Sequence, residues 1–408
     1  MTSTLGQHTN FAIVGGKVLT MAGDPIEEGT VIVRDGKIAS VGPSSKTRVP
    51  KGVEIIDAKG KWVLPGFVDA HAHLGVHEEG EGWAGSDTNE MTDPNGARLR
   101  ALDAINPDDQ GFRDALTGGV TAAVIKPGSG NPIGGQTVAV KVWGRIVDEM
   151  IIKEPCSVKS ALGENPKRVY GDKNKLPSTR LGVAAVIRDA LAGAQEYAAA
   201  RAKKGSTEKF DPTKETLARV LSGELPWCQH THRVDDVATA VRLSEEFGYR
   251  LVINHGTGAH RIASFLAEKQ IPVIIGPLMT SRSKVEVRER SLRNPGHLQR
   301  AGVKLALMTD HPVIPIEYLI VQLSLAVRDG LDRDQALKLI TINPAEILGL
   351  DDRVGSLEKG KDADIAIWSG DPIDLMQRCE RVYIDGRHVF EHDYKTNRPC
   401  VAAQFEND

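Results

Sequence analysis

The segment Leu64-Pro65-Gly66-Phe67-Val68-Asp69-Ala70-His71-Ala72-His73 runs from an apolar, strand-like stretch straight into a His-x-His pair. Side chains alternate along a strand with period two, so the two imidazoles share a face. Neutral imidazole is a common ligand of zinc and similar divalent ions. The apolar lead-in sets this pair apart from two solvated loop histidines. Three further strand-like runs end in the same manner: Trp227-Cys228-Gln229-His230-Thr231-His232, Leu251-Val252-Ile253-Asn254-His255 and Leu307-Met308-Thr309-Asp310-His311. One strand-end histidine is more often a structural hydrogen-bonding residue, but four such ends in one chain point to a shared site. Asp310 after an apolar run needs its charge compensated. That suits it to hold a metal and to take a proton from coordinated water.

Farther out, these runs belong to a β-then-α rhythm. WVLPGFVDAH, GVTAAVIKPG, VKSALGEN, WCQHTH, YRLVINHG, IPVIIGP and VKLALMTDH read as buried parallel strands. VDDVATAVRLSEEFG, HRIASFLAEKQ, IEYLIVQLSLAVRDG and RDQALKLITINPAEILG read as helices. The alternation over residues 63–349 predicts a (β/α)8 barrel, whose strands open their C-terminal ends on one catalytic face. Within residues 130–222, TVAVKVWGRIVDEMII reads either as a barrel strand or as an inserted hairpin, ahead of helical RLGVAAVIRDALAGAQEYAAARAKK. The first sixty residues alternate apolar and polar positions between turn signals such as Arg34-Asp35-Gly36, and ADIAIWSG and ERVYIDGRHVF repeat the pattern late in the chain. Residues 1–62 and 350–408 are therefore expected to form one discontinuous β-sandwich domain, interrupted by the barrel.

The 408 residues carry 51 Lys and Arg against 54 Asp and Glu, a formal net charge of −3. That balance excludes an activity built on a concentrated basic grip of nucleic acid. A hydrophobic share of 40% is ordinary for a globular chain and allows a large core. No apolar run approaches the roughly 20 residues of a membrane-spanning helix; the longest, from Tyr318 to Val327, is broken by Gln322 and Ser324. The opening MTSTLGQHTN has no basic stretch leading into an apolar run, so no secretory signal is read there. Cys156, Cys228, Cys379 and Cys400 are too dispersed for a Cys-x-x-Cys site or a disulfide framework, and a cytoplasmic protein with reduced thiols is expected.

Residues 64–73, the GVT triplet, the strand-end histidines and Thr309-Asp310-His311 together resemble the amidohydrolase superfamily of metal-dependent hydrolases. The flanks IVGGKVLT, GTVIVRDGKIASVG, NPAEILGL and VGSLEKGKDADIAIW extend the resemblance over nearly the whole chain. It is nearest the branch of imidazolonepropionase-like enzymes and metal-dependent dipeptidases, although LGENPKRVYG and PSTRLGVAAVIRDAL set it apart from their familiar members. The resemblance implies one or two divalent metal ions, with zinc the expected ion. His71, His73 and Asp310 would hold the more buried ion. His230 and His255 would hold a second or, in a one-metal enzyme, ligate and orient. His230 is placed ahead of His232 because related enzymes put the ligand where the apolar strand first breaks, leaving His232 to touch substrate or support a ligand.

For an anion bridging two metals, Glu164 is preferred and Lys159 is the rival, since some members of the superfamily carboxylate a strand lysine for that purpose. The two lie an odd number of residues apart, so on a regular strand they face opposite ways unless the strand end is bulged. Asn165, Lys167, Arg168 and Tyr170 follow on a presumed active-face loop, as available to a substrate carboxylate as to solvent. Arg180, at a helix start, and His311, next to Asp310, are weaker candidates. His77, Trp83 and the acids from Glu78 to Glu81 form a candidate lid, and the glycines of PGSGNPIGGQ make a flexible loop without a P-loop ending.

The expected reaction is hydrolysis of a carbon–nitrogen bond in an amide, cyclic amide or peptide-like small molecule, with Asp310 as general base and then acid, and His255 beside it. Two alternatives stay open. Deamination of a heterocycle often goes with a His-x-x-Glu pattern, whereas the corresponding segment here is His230-Thr231-His232-Arg233. A metal-free scaffold should have lost its strand-end ligands, yet His71, His73, His230, His255 and Asp310 are all present. No nucleic-acid or membrane partner is expected. Homo-oligomers are common among the resembling enzymes, but these residues do not fix an oligomeric state.

Overall fold

A computed structural model describes Leu5 and residues 10–404 of the chain and shows a mixed α/β fold. The opening stretch, apart from Leu5 and Asn10, lies outside the described residues. The central strands are β1 Phe67–Ala72, β2 Val120–Ile125, β3 Ile133–Gln136, β4 Val138–Lys141, β5 Ile151–Lys153, β6 Val158–Ala161, β7 Trp227–Thr231, β8 Leu251–His255, β9 Val273–Ile275 and β10 Leu305–Leu307. β1 pairs in parallel with β2, and β6 to β10 pair in parallel in sequence order. Between these two groups the chain doubles back. Residues 133–141, carrying β3 and β4, run antiparallel to β2 on one side and to β5 and β6 on the other. The expectation of eight parallel strands is thereby corrected at one position. Only residues 126–132 separate β2 from β3, too few for the dozen or more that a parallel crossover needs.

The last strand meets the first at a seam. The Asp310 amide donates to the His71 carbonyl at 3.1 Å, and the His73 amide to the His311 carbonyl at 2.9 Å. Asp69 reinforces it, accepting from the His71 amide at 3.0 Å and from the amide and hydroxyl of Thr309. Alternate residues of successive strands, among them Val68, Ala70, Val124, Ala139, Cys228, Val252, Ile274 and Ala306, pack into one buried cluster. Their neighbours Phe67, Ala123, Val140, Val158, Trp227, Ile253 and Leu305 pack with helical residues such as Val237 and Ala240 of Val234–Phe247. Period-two alternation has separated an inner core from an outer one.

Both ends of the chain contribute to a single nine-stranded sheet. Trp62–Pro65 pairs antiparallel with Ile365–Trp368, so this strand crosses the expected boundary after residue 62. The strands pair as one continuous sheet, with a core of its own that includes Phe11, Val31, Val63, Ile365 and Tyr383. Among the described residues, no helix is long and apolar enough to cross a membrane.

A buried ion group clamps this sheet to the central strands. Lys141, at the end of β4, reaches Asp362 at 2.9 Å, Asp364 at 2.5 Å and Asp385 at 3.4 Å. Arg353 and Lys37 also reach Asp362, whereas Asp364 has Lys141 as its cation. Replacing Lys141 with Met strands the Asp364 carboxylate in the interior. Guanidinium unfolding of that variant should show a loss of about 3–5 kcal/mol; a loss under about 1 kcal/mol would reduce the group to the weight of a surface pair.

Candidate metal centre

The polar strand ends converge on one rim. His71 Nε2 lies 3.3 Å from Asp310 Oδ1 and 3.1 Å from Lys159 Nζ, and His73 Nε2 is likewise 3.3 Å from Asp310 Oδ1. Potential ligand atoms of His71, His255 and Asp310 fall within 4.8 Å of one another, as do those of His230, His232 and His255. The two groups share His255.

Regular strands alone would not produce this convergence. Leu251 and Ile253 belong to the outer core, so period-two alternation would turn His255 outward as well. Its backbone instead adopts the left-handed region, with φ at 70°, and its ring comes to 4.4 Å from that of His230. Asp310 has the same kind of conformation, with φ at 57°. For residues with a Cβ this costs on the order of 1–3 kcal/mol and persists only where the surrounding structure holds it. At β1 the change of phase comes from an irregularity in pairing between Asp69 and Ala72, so His71 can face inward although Val68 and Ala70 also do. Lys159 needs no such device, because it alternates with outward Val158.

Hydrogen bonds then aim the rings. His73 Nδ1–H donates to the Lys126 carbonyl at 2.7 Å and His255 Nδ1–H to the Gly276 carbonyl at 2.9 Å, so each presents Nε2 as a lone-pair donor. His232 Nδ1 is 2.8 Å from Thr257 Oγ1. Burial keeps the imidazoles neutral, pushing His255 down to about 3 and His71, His230 and His232 well below the ordinary histidine value. Burial also brings Lys159 down to about 7. For Asp310 burial favours protonation, but the neighbouring His255, His73 and Lys159 prevail and hold it below the usual carboxylate range. Both ring nitrogens of His230 and Nδ1 of His71 are buried without a hydrogen-bond partner. Such atoms are costly unless something else binds them. Neutral imidazoles beside an ionised carboxylate are the donor set that suits zinc and related ions. The residues present fit a divalent cation.

Glu164 stands apart from both ligand groups. β6 ends at Ala161, Gly163 turns the chain with φ at 94°, and Glu164 opens the helix Glu164–Gly171 with its amide on Glu286 Oε1 at 2.9 Å. Parity along a strand therefore has no bearing on Glu164. Arg180 is engaged by Asp236 at 3.1 Å and by Glu286. His311 is buried, its Nδ1 accepting from the Ile316 amide at 3.2 Å. Arg168 is exposed, and the Tyr170 hydroxyl donates to Asn131 Oδ1 at 2.8 Å. Asn165 lines a cavity of about 370 Å³ together with His73, His77, Lys159, His230, His232, His255 and Asp310. Trp83, of the expected lid, is 93% exposed. The same cavity is lined by Lys284 and Arg290, which inspection of strand ends passes over. Their signal is the charged segment from Arg282 to Arg290 soon after β9, where Arg282, Lys284, Arg288 and Arg290 outnumber Glu286 and Glu289.

Residues 148–390, more than half of the chain, match the family model described as Amidohydrolase family. A solved amidohydrolase from Thermotoga maritima MSB8 is 45% identical, with a TM-score of 0.89 over 93% of this chain and 100% of its own. The imidazolonepropionase of Mesorhizobium japonicum is 28% identical over 88% of this chain and 89% of its own. The amidohydrolase tasK of Hapsidospora irregularis is also 28% identical, over 92% of this chain but 41% of its own length, so this chain spans about two fifths of that relative. The chain belongs to the amidohydrolase family. It is accordingly a metal-dependent hydrolase of the class that acts on carbon–nitrogen bonds.

Zinc added to the metal-free protein should raise its thermal stability, because an ion that binds only the folded state adds about 2.7 kcal/mol at a hundredfold excess over Kd. His255→Ala, lacking the ligand common to both groups, should lose most of that gain and bind less metal by elemental analysis. Unchanged metal content in this variant would remove His255 from the ligand set.

Proposed function

We propose that this chain hydrolyses an amide, cyclic-amide or peptide-like bond in a small molecule, using one or two divalent ions, zinc foremost, at the rim of a distorted (β/α)8 barrel. In this reading residues 1–62 and 350–408 make the second, discontinuous domain, whose strands share one sheet. The parallel order of β6 to β10, the seam to β1 and the shared inner core support the barrel. All four cysteines are free thiols, which supports a reducing, cytoplasmic setting. The observation that carries the activity is the pair of ligand groups joined through His255, with Asp310 in one of them.

A divalent cation bound there supplies polarisation of the scissile carbonyl and a more acidic water. Asp310 takes the proton of the attacking water and passes it to the leaving nitrogen. Its low pKa keeps it ionised and ready to accept, and its position 3.3 Å from both His71 and His73 Nε2 holds it over the site. His255, fixed by the Gly276 carbonyl, orients the space between the two groups. The cavity lining has Asp310 as its one carboxylate among the described residues, which favours bond hydrolysis over ring deamination with a second acid.

As the bridging group, Lys159 is preferred over Glu164. Its amine is buried 3.1 Å from His71 Nε2, and a pKa near 7 leaves a large neutral fraction at physiological pH. The neutral amine adds to carbon dioxide: a nitrogen–carbon bond forms, one carbon–oxygen π pair moves to oxygen, and a proton leaves to solvent. The product is a carboxylate able to bridge two cations.

Asp310→Asn should retain the wild-type circular dichroism and lose about 10²–10⁴-fold in kcat on an identified substrate; near-normal turnover would overturn the role given to Asp310. Protein incubated with carbon-13 bicarbonate should show a carbamate carbonyl resonance. Its persistence in Lys159→Gln would reject Lys159 as its carrier.

A further inference from the structure

The cavity at the ligand groups carries an excess of positive charge. Against the single carboxylate of Asp310 its lining sets Lys284 and Arg290, leaving aside Lys159, whose charge burial removes in large part. Neither Lys284 nor Arg290 makes an ion pair among the described residues. The Lys284 ammonium donates to a neutral acceptor, Asn165 Oδ1, at 3.1 Å. An ammonium has three N–H donors, so two remain for a ligand. Asn165 is itself held by donating to Ser129 Oγ at 2.7 Å, which turns its amide oxygen toward Lys284. Arg290 donates to the Leu278 carbonyl at 2.7 Å, while its Nε is buried without a partner. Of the nearby acids, Glu286 is engaged by Arg180 and by the Glu164 amide. Burial depresses the pKa of Lys284 despite the attraction of Glu286 and Glu164, so its charge is under-compensated.

Resting on the hydrolase reading above, we propose that Lys284, oriented by Asn165, anchors a carboxylate of the substrate, so that this enzyme selects amides or cyclic amides bearing a carboxylate close to the scissile bond. Arg290 adds to the positive field of the same cavity. A volume of about 370 Å³ suits a molecule the size of an N-acyl amino acid. The carboxylate supplies the counter-charge that the lining lacks, and Lys284 acts through substrate orientation, not on the reacting atoms.

The test uses the metal-loaded enzyme and a panel of N-acetyl amino acids paired with the matching N-acetyl amino-acid amides, measuring binding by thermal shift and turnover by amine release. Free carboxylates should bind about 100-fold more tightly than their amides. In Lys284→Met the preference should fall to within about threefold, through KM and not kcat. Lys284→Arg should keep most of it, which separates loss of charge from loss of fold. Equal binding of acids and amides, no binding of any carboxylate, or an undiminished preference in Lys284→Met would overturn the assignment. Carboxylates that bind through Lys284 but are never cleaved would instead refute the hydrolase reading and leave this subsite standing.

Discussion

The carboxylate of Asp69 lies wholly inside the protein, where hydrogen bonds from Thr309 and from the His71 amide support it in place of a cation. Burial raises its pKa to about 7. The cost of isolating such a group is several kcal/mol, and what it secures is register. Asp69 and Thr309 are 240 residues apart in sequence, yet each is within two residues of a ligand, His71 or Asp310. A slip of one residue at this seam would exchange the faces of the side chains beyond it, taking Asp310 away from His71 and His73. The amide–carbonyl bonds between Asp310 and His71 and between His73 and His311 fix the same register from the backbone.

On that frame the site is assembled from unfavourable parts. His255 and Asp310 sit in backbone conformations that residues with a Cβ avoid, and His230 has two buried ring nitrogens without partners. Lys159, pushed toward neutrality by burial, completes a cluster with few good internal contacts of its own. The unpartnered ring nitrogens are the term that a bound cation would relieve, whereas the backbone strain is held by the fold around it. Local strain and unmet polar groups persist only where the surrounding structure over-determines them. Here the inner core of alternating apolar side chains and the Asp69 seam do so.

The convergence of these residues was legible because the candidate ligands follow directly on apolar runs: His71 and His73, His230, His255 and Asp310 each end a segment whose pattern reads as a buried strand. Other features leave no such mark. The apolar pattern of residues 133–141 is the same whichever way the strand runs, and only the short connection before it indicates the reversal. Parity set Lys159 against Glu164 on the assumption of one strand, whereas Gly163 had already turned the chain into a helix. The inward turn of His255 depends on a left-handed φ, a conformation histidine enters more often than most residues but too seldom for its identity alone to mark the position. Lys284 and Arg290 belong to an irregular segment that folds back over the rim, where no periodicity reports direction.

Whole-chain charge is equally silent about the cavity. A formal net charge of −3 argues against a basic surface, yet the interior beside the ligand groups is cationic. The two statements concern different length scales: exposed charges are screened within about 10 Å, while buried ones interact through a poorly polarisable medium and must be balanced locally. A cavity in which neutral imidazoles and one carboxylate face Lys284 and Arg290 is therefore better matched to an anion than to a neutral substrate, which is the basis of the carboxylate preference proposed above. Because Lys284 would touch the carboxylate and not the scissile bond itself, such a contact does not stabilise the reacting atoms directly. Present alike in the bound substrate and in the transition state, it decides which substrates are held beside Asp310 and lowers KM without raising kcat.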